Sequence, residues 1–72
     1  MKASPILLQK KYARIIMLFA EEMNLAPREA LDFFYKTMTY QEMRAGIADM
    51  HCRSDLYLVE ELQLEYLTNT PT

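Results

Sequence analysis

Apolar residues recur at helical spacing along most of this chain, and polar or helix-breaking residues interrupt them at three places. On a wheel turning about 100° per residue, Leu8, Tyr12, Ile15, Phe19 and Met23 form one stripe, with Ile16 alongside and Lys10, Arg14 and Glu21 opposite. Ser4-Pro5 precedes this stripe. Serine can cap free backbone N–H groups, and the missing N–H of proline costs nothing at a first helical position. The pattern predicts a first helix from there to about Met23, with Asn24 as its stop.

Pro27 predicts the start of a second helix reaching Lys36 or Thr37. Ala30, Leu31, Phe33 and Phe34 make its apolar side, Arg28, Glu29, Asp32 and Lys36 its polar side, and Tyr35 sits at the border. About ten residues are too few to persist alone in water, so packing must hold this helix. Thr39-Tyr-Gln-Glu42 has the spacing of a capping box and predicts a third helix. Tyr40, Met43, Ile47 and Met50 share one side of it. Gly46 weakens its interior by about 1 kcal/mol relative to alanine, marking either a close helix contact or an early end. His51 to Arg53 form a connection, and Ser54 or Asp55 caps a fourth helix running to Leu67.

The fourth helix has two apolar sides. Leu58, Val59, Leu62 and Tyr66 form one stripe, while Leu56, Leu64 and Leu67 gather elsewhere with Glu60 beside them. One stripe suffices for packing against the rest of a small domain, so the other predicts a protein partner or a second copy, with a homodimer expected. Met17 lies opposite the main stripe of the first helix, near Lys10 and Arg14, and adapts well to partner surfaces. The expected partner-binding residues are therefore Leu56, Glu60, Leu64, Leu67 and Met17.

No strand-period alternation of useful length and no hairpin signal appears, and the single glycine argues against a turn-rich β architecture. The expected fold is all-α, a small four-helix bundle with short connections. Residues 1–67 would form one helical domain and 68–72 a fraying tail. At 72 residues, such a domain buries only about 60% of its unfolded surface, which leaves its stability marginal. A single cysteine, Cys52, permits no internal disulfide. With no secretory h-region at the start, it points to a reducing, cytoplasmic setting. The longest apolar run, Ile15 to Ala20, is six residues, against about 20 needed to span a bilayer. Neither a membrane span nor a membrane partner is expected.

Charge is unevenly placed. Residues 1–36 hold six bases against four acids, and residues 37–72 hold Arg44 and Arg53 against six acids. The acidic second half could steer docking to a basic partner or simply solvate a helix face.

Catalytic and ligating types gather only at Asp49, His51, Cys52 and Asp55. Zinc requires three or four converging ligands, and adjacent His and Cys side chains diverge on most backbones. Cys52 has no second histidine and no glycine-rich loop for an oxyanion. Glu21-Glu22 and Glu60-Glu61 are neighbours that diverge by about 100° on a helix. No catalytic residue, metal ligand or cofactor site is therefore expected, and the chain reads as a non-enzyme. The alternative is a small helix-turn-helix-like DNA-binding regulator, with Gln41 and Arg44 on the second helix of the pair. Lys36-Thr37-Met38-Thr39 in the turn lacks the usual small residue, and the acidic balance fails the basic-footprint test.

Three stretches carry a resemblance: Leu31-Asp-Phe-Phe-Tyr35 with Thr39-Tyr40, Ile47-Ala-Asp-Met-His-Cys-Arg-Ser-Asp55, and Tyr57-Leu-Val-Glu-Glu-Leu62. Together, from about Ile6 to Tyr66, the chain resembles a family of short bacterial helical proteins known as a domain of unknown function. Genes of that family lie near genes for ADP-ribosyltransferase-like proteins. The resemblance implies an antitoxin-like or accessory partner of a neighbouring toxin-like enzyme, with the fourth helix as its docking face. It brings no active-site residues, and it implies structural roles for His51, Ser54 and Asp55 at the corner before that helix.

Overall fold

The computed structural model describes residues 5–69 and is all-α, with no strand among the described residues. Its elements are α1 (Pro5–Met23), α2 (Pro27–Phe34), α3 (Met38–Ala45), a 3-10 segment (Ile47–Cys52) and α4 (Asp55–Asn69). The expected Ser4 cap lies outside the described residues. So do residues 70–72 of the expected tail, whereas α4 continues two residues past Leu67 to Asn69. There the Thr68 hydroxyl donates to the Leu64 carbonyl at 2.8 Å.

The stripe predicted for α1 faces inward. Ile15, Ile16, Phe19 and Ala20 join Ala30 and Phe34 of α2, Met43 of α3, Met50, and Leu58, Val59 and Leu62 of α4 in one core. Helix α1 packs against both α2 and α4. Aromatic rings seal the space between them, Phe19 stacking on Phe33 at 5.6 Å and Tyr66 meeting Phe33 edge-on at 5.1 Å. Asn24 ends α1 in the left-handed region, φ 55°, so that the Leu25 N–H reaches the Ala20 carbonyl at 2.8 Å.

Helix α2 stops at Phe34, short of Lys36 or Thr37, and Thr37 is the reason. Its hydroxyl donates to the Phe34 carbonyl at 2.7 Å and accepts the Tyr40 N–H at 3.1 Å. One buried side chain thus closes α2 and caps α3. The capping box expected at Thr39 and Glu42 is not the device used, because α3 begins at Met38 and Thr39 is already inside it.

Gly46 is an early end rather than a helix contact. It adopts φ 69°, donates to the Met43 carbonyl and terminates α3. The chain then turns through Ala48 and Asp49, both at positive φ. Ile47 consequently leaves the Tyr40–Met43 side and is 54% exposed, while Met50 returns to the core.

Candidate functional site

Helix α4 is held along one side and at both ends, and this decides what its other side can do. Ser54 caps it, its hydroxyl accepting the Tyr57 N–H at 3.1 Å. Asp55, in the first turn, accepts from Arg14 Nε at 2.8 Å and lies 3.7 Å from Lys11 Nζ. Lys11 also donates to the Arg53 carbonyl. The Arg14 hydrogen bond, aided by the charges of Arg14 and Lys11 and opposed by partial burial, holds the Asp55 carboxyl below the usual carboxylate range.

Near the other end, Glu65 reaches across to the start of α3. Its carboxylate accepts the Met38 N–H at 2.8 Å, the Thr39 N–H at 3.0 Å and the Thr39 hydroxyl. With Thr37 taking the Tyr40 N–H, each of the first three amides of α3 has an acceptor. A helix N-terminus carries partial positive charge, so a carboxylate suits it well.

With Leu58, Val59 and Leu62 buried between these anchors, the opposite row of α4 faces outward. Leu56 and Leu67 are each 67% exposed and Leu64 58%, with Glu60 exposed among them. Side chains at i, i+4 and i+8 stand about 6 Å apart along one helix side. Leu56, Glu60 and Leu64 therefore make a continuous ridge that Leu67 extends. Three leucines this exposed on one side of one helix, with an acid among them, form a candidate contact surface.

Met17 is also exposed, at 50%, but it belongs to a different surface. It lines two shallow depressions, one with Ala13, Arg14 and Leu18, the other with Ala13, Ile16, Pro27, Arg28 and Leu31. A third is bounded by Gln9, Tyr12, Ala13, Ile16, Leu31 and Tyr35. Ala13 is common to all three, and no residue of α4 lines any of them. Met17 thus sits in an α1–α2 trough floored by a small residue. The expected partner-binding set divides into an α4 ridge and this trough.

The remaining candidate chemistry is dispersed. Asp55 is engaged by Arg14 and Lys11, Cys52 is exposed, and the His51 ring lies against Gly46 with Nδ1 buried and without a hydrogen-bond partner. Among the described residues no three His, Cys, Asp or Glu side chains converge as metal ligands. Nor is any helix among them long and apolar enough to cross a membrane. The Tyr12 hydroxyl is buried without a partner, and burial, with the nearby Tyr40 and Tyr35 phenols, pushes its pKa up. Gln41 and Arg44 are exposed on α3. The amides at its start, which a phosphate would need, are occupied by Glu65 and Thr37.

No protein-family model, curated protein or solved structure matches the chain.

Two features of this arrangement have no clear signal in the sequence. Glu65, one of the six acids of residues 37–72, is an internal cap and not part of a solvated or docking face. Its sequence neighbours do not set it apart, since Glu60 and Glu61 also adjoin residues of the buried stripe. The trough arises from Ala13 lying opposite Leu31 on another helix, a juxtaposition with no local signature.

Proposed function

We propose that this chain is a non-enzymatic helical protein–protein interaction module whose contact surface is the outward ridge of α4. The observation that carries this is the exposure of Leu56, Leu64 and Leu67 on a helix whose other side is fully committed to the core. Burying apolar area contributes about 25 cal/mol per Å², so a partner covering three leucines gains a driving force that water otherwise withholds. The acids narrow the chemistry. Asp55 and Glu65 are consumed inside the fold, leaving Glu60 as the charge within the ridge.

The family that the sequence resembles supplies a biological setting: an antitoxin-like or accessory protein, bacterial and cytoplasmic, acting beside a neighbouring toxin-like enzyme. That setting rests on the sequence resemblance alone. The occupied start of α3 and the acidic balance weigh against the DNA-binding alternative.

The test replaces Leu56 and Leu64 together with glutamate. Far-UV circular dichroism and Tm should stay near wild type, because both side chains are exposed. Association, measured by light scattering alone and after co-expression with the neighbouring gene's product, should disappear. Unchanged association with an intact fold would refute the ridge as a contact surface, and loss of helicity would show these leucines to be structural.

A further inference from the structure

The outward row of α4 carries an acid, and the shallow depression between α1 and α2 carries a base. The ridge is convex, with Leu56 and Leu64 about 12 Å apart along the helix and Glu60 as the carboxylate between them. The depression between α1 and α2 is shallow, lined by Ala13, Ile16, Met17, Pro27 and Leu31, and its one charged lining residue is Arg28, whereas Arg14 lines a second depression made of α1 residues alone. The acids of the same two helices, Glu21, Glu22, Glu29 and Asp32, line none of these depressions. A leucine row carrying one acid is thus matched by an apolar depression carrying one base.

Granted the α4 ridge as a protein-contact surface, on which this inference rests, we propose that its occupant is a second copy of this chain, seating its ridge in the α1–α2 trough. Arg28 is the recognition partner of Glu60. Arg14 already binds Asp55 within its own chain, whereas none of the ion pairs among the described residues involves Arg28. Arg28 stands in the first turn of α2, next to Pro27. Its backbone is therefore placed at the start of α2, beside the depression that Met17 and Leu31 also line.

Two chains that exchange ridges form a closed two-fold dimer, whereas chains that dock without exchange make head-to-tail contacts that must close into a ring. A standard interface takes about 800 Å² from each partner, roughly a sixth of the 5176 Å² surface of this chain. Association on this scale also offsets the marginal stability expected of so small a core.

The test is a charge exchange followed by sedimentation and light scattering, from about 1 µM to about 1 mM protein, which spans Kd values of those orders. Wild type should rise from one chain mass to two or more. Glu60→Arg and Arg28→Glu should each weaken association at least tenfold with Tm retained. Glutamate is well tolerated in the first turn of a helix. In an equimolar mixture of the two variants, every contact between unlike chains pairs opposite charges again. The mixture should therefore regain the wild-type mass, although neither variant does so alone.

Failure of the mixture to associate would overturn the proposal, as would a wild type that stays monomeric throughout. If Leu64→Glu abolishes association and Arg28→Glu leaves it intact, the ridge is a contact surface that meets something other than the trough. Self-docking as drawn here then fails and the proposed function stands. If Leu64→Glu also leaves association intact, both fail.

Discussion

Removing the Glu65 carboxylate should destabilise the fold far more than its surface position suggests. The side chain accepts two backbone amides and one hydroxyl from the start of α3. Thr39, which supplies two of those donors, is only 2% exposed and has little access to water. A hydrogen bond to a charged group contributes about 1.5–3 kcal/mol, and a buried donor left unpaired costs about 1–3 kcal/mol. Three bonds sharing one carboxylate do not add in full, so about 2–4 kcal/mol is expected for Glu65→Ala.

Against a total of about 4–11 kcal/mol for a domain of this length, that loss is severe. At about 4–8 °C per kcal/mol, even the lower figure moves Tm by about 8–16 °C. Glu65→Gln keeps one acceptor oxygen and should lose roughly half as much. Thermal and urea unfolding, followed by circular dichroism, measures both. A double-mutant cycle with Thr39→Val should show a coupling of about 0.5–3 kcal/mol. The account is refuted if Glu65→Ala costs less than about 0.5 kcal/mol, the range of an ordinary surface substitution, or if the cycle is additive.

Asp55 sets an acid limit. Its folded pKa is depressed, chiefly by the Arg14 hydrogen bond. Its contribution is therefore complete above the unfolded carboxylate pKa of about 4 and is lost as pH falls through the lower folded value. Tm profiles of wild type and Asp55→Asn from neutral to strongly acidic pH should converge below about pH 4; parallel profiles would show that the carboxylate adds nothing. Gly46→Ala should lower stability by about 1–2 kcal/mol through its left-handed backbone alone, since the added Cβ would meet only the His51 ring, Cε1 at 3.6 Å and Nδ1 at 3.8 Å, both ordinary contacts. Urea unfolding measures this, and an unchanged midpoint would show that the backbone relaxes out of φ 69°.

Much of this protein is written locally. The 3.6-residue stripes of Leu8 to Met23 and of Leu58 to Tyr66 specify helices and their buried sides, since periodic burial is a property of one segment at a time. Pro27 and Asn24 act within a few residues, so their roles at helix ends are legible without a fold, whereas the cap of α4 is open in sequence between Ser54 and Asp55 and the structure uses Ser54. The surplus leucines of α4 were legible for the same reason: a helix has one inward side, and residues off it must face something else.

Thr37, Glu65 and Met17 required the tertiary structure. Thr37 and Thr39 are equally good caps by composition. The choice between them followed from how tightly the chain turns out of α2 and from a carboxylate 26 residues further on meeting Thr39. Glu65 is indistinguishable in sequence from Glu60 and Glu61, because charge patterning does not say which acid another helix end will approach. Met17 could be placed on the outer side of α1 by periodicity, but its assignment to a trough with Leu31 and Arg28 depends on how α1 and α2 cross. Hydrophobic periodicity determined the helices and their exposed row. Packing between helices, which no single segment encodes, decided which polar groups became internal and which surfaces were left to face a partner.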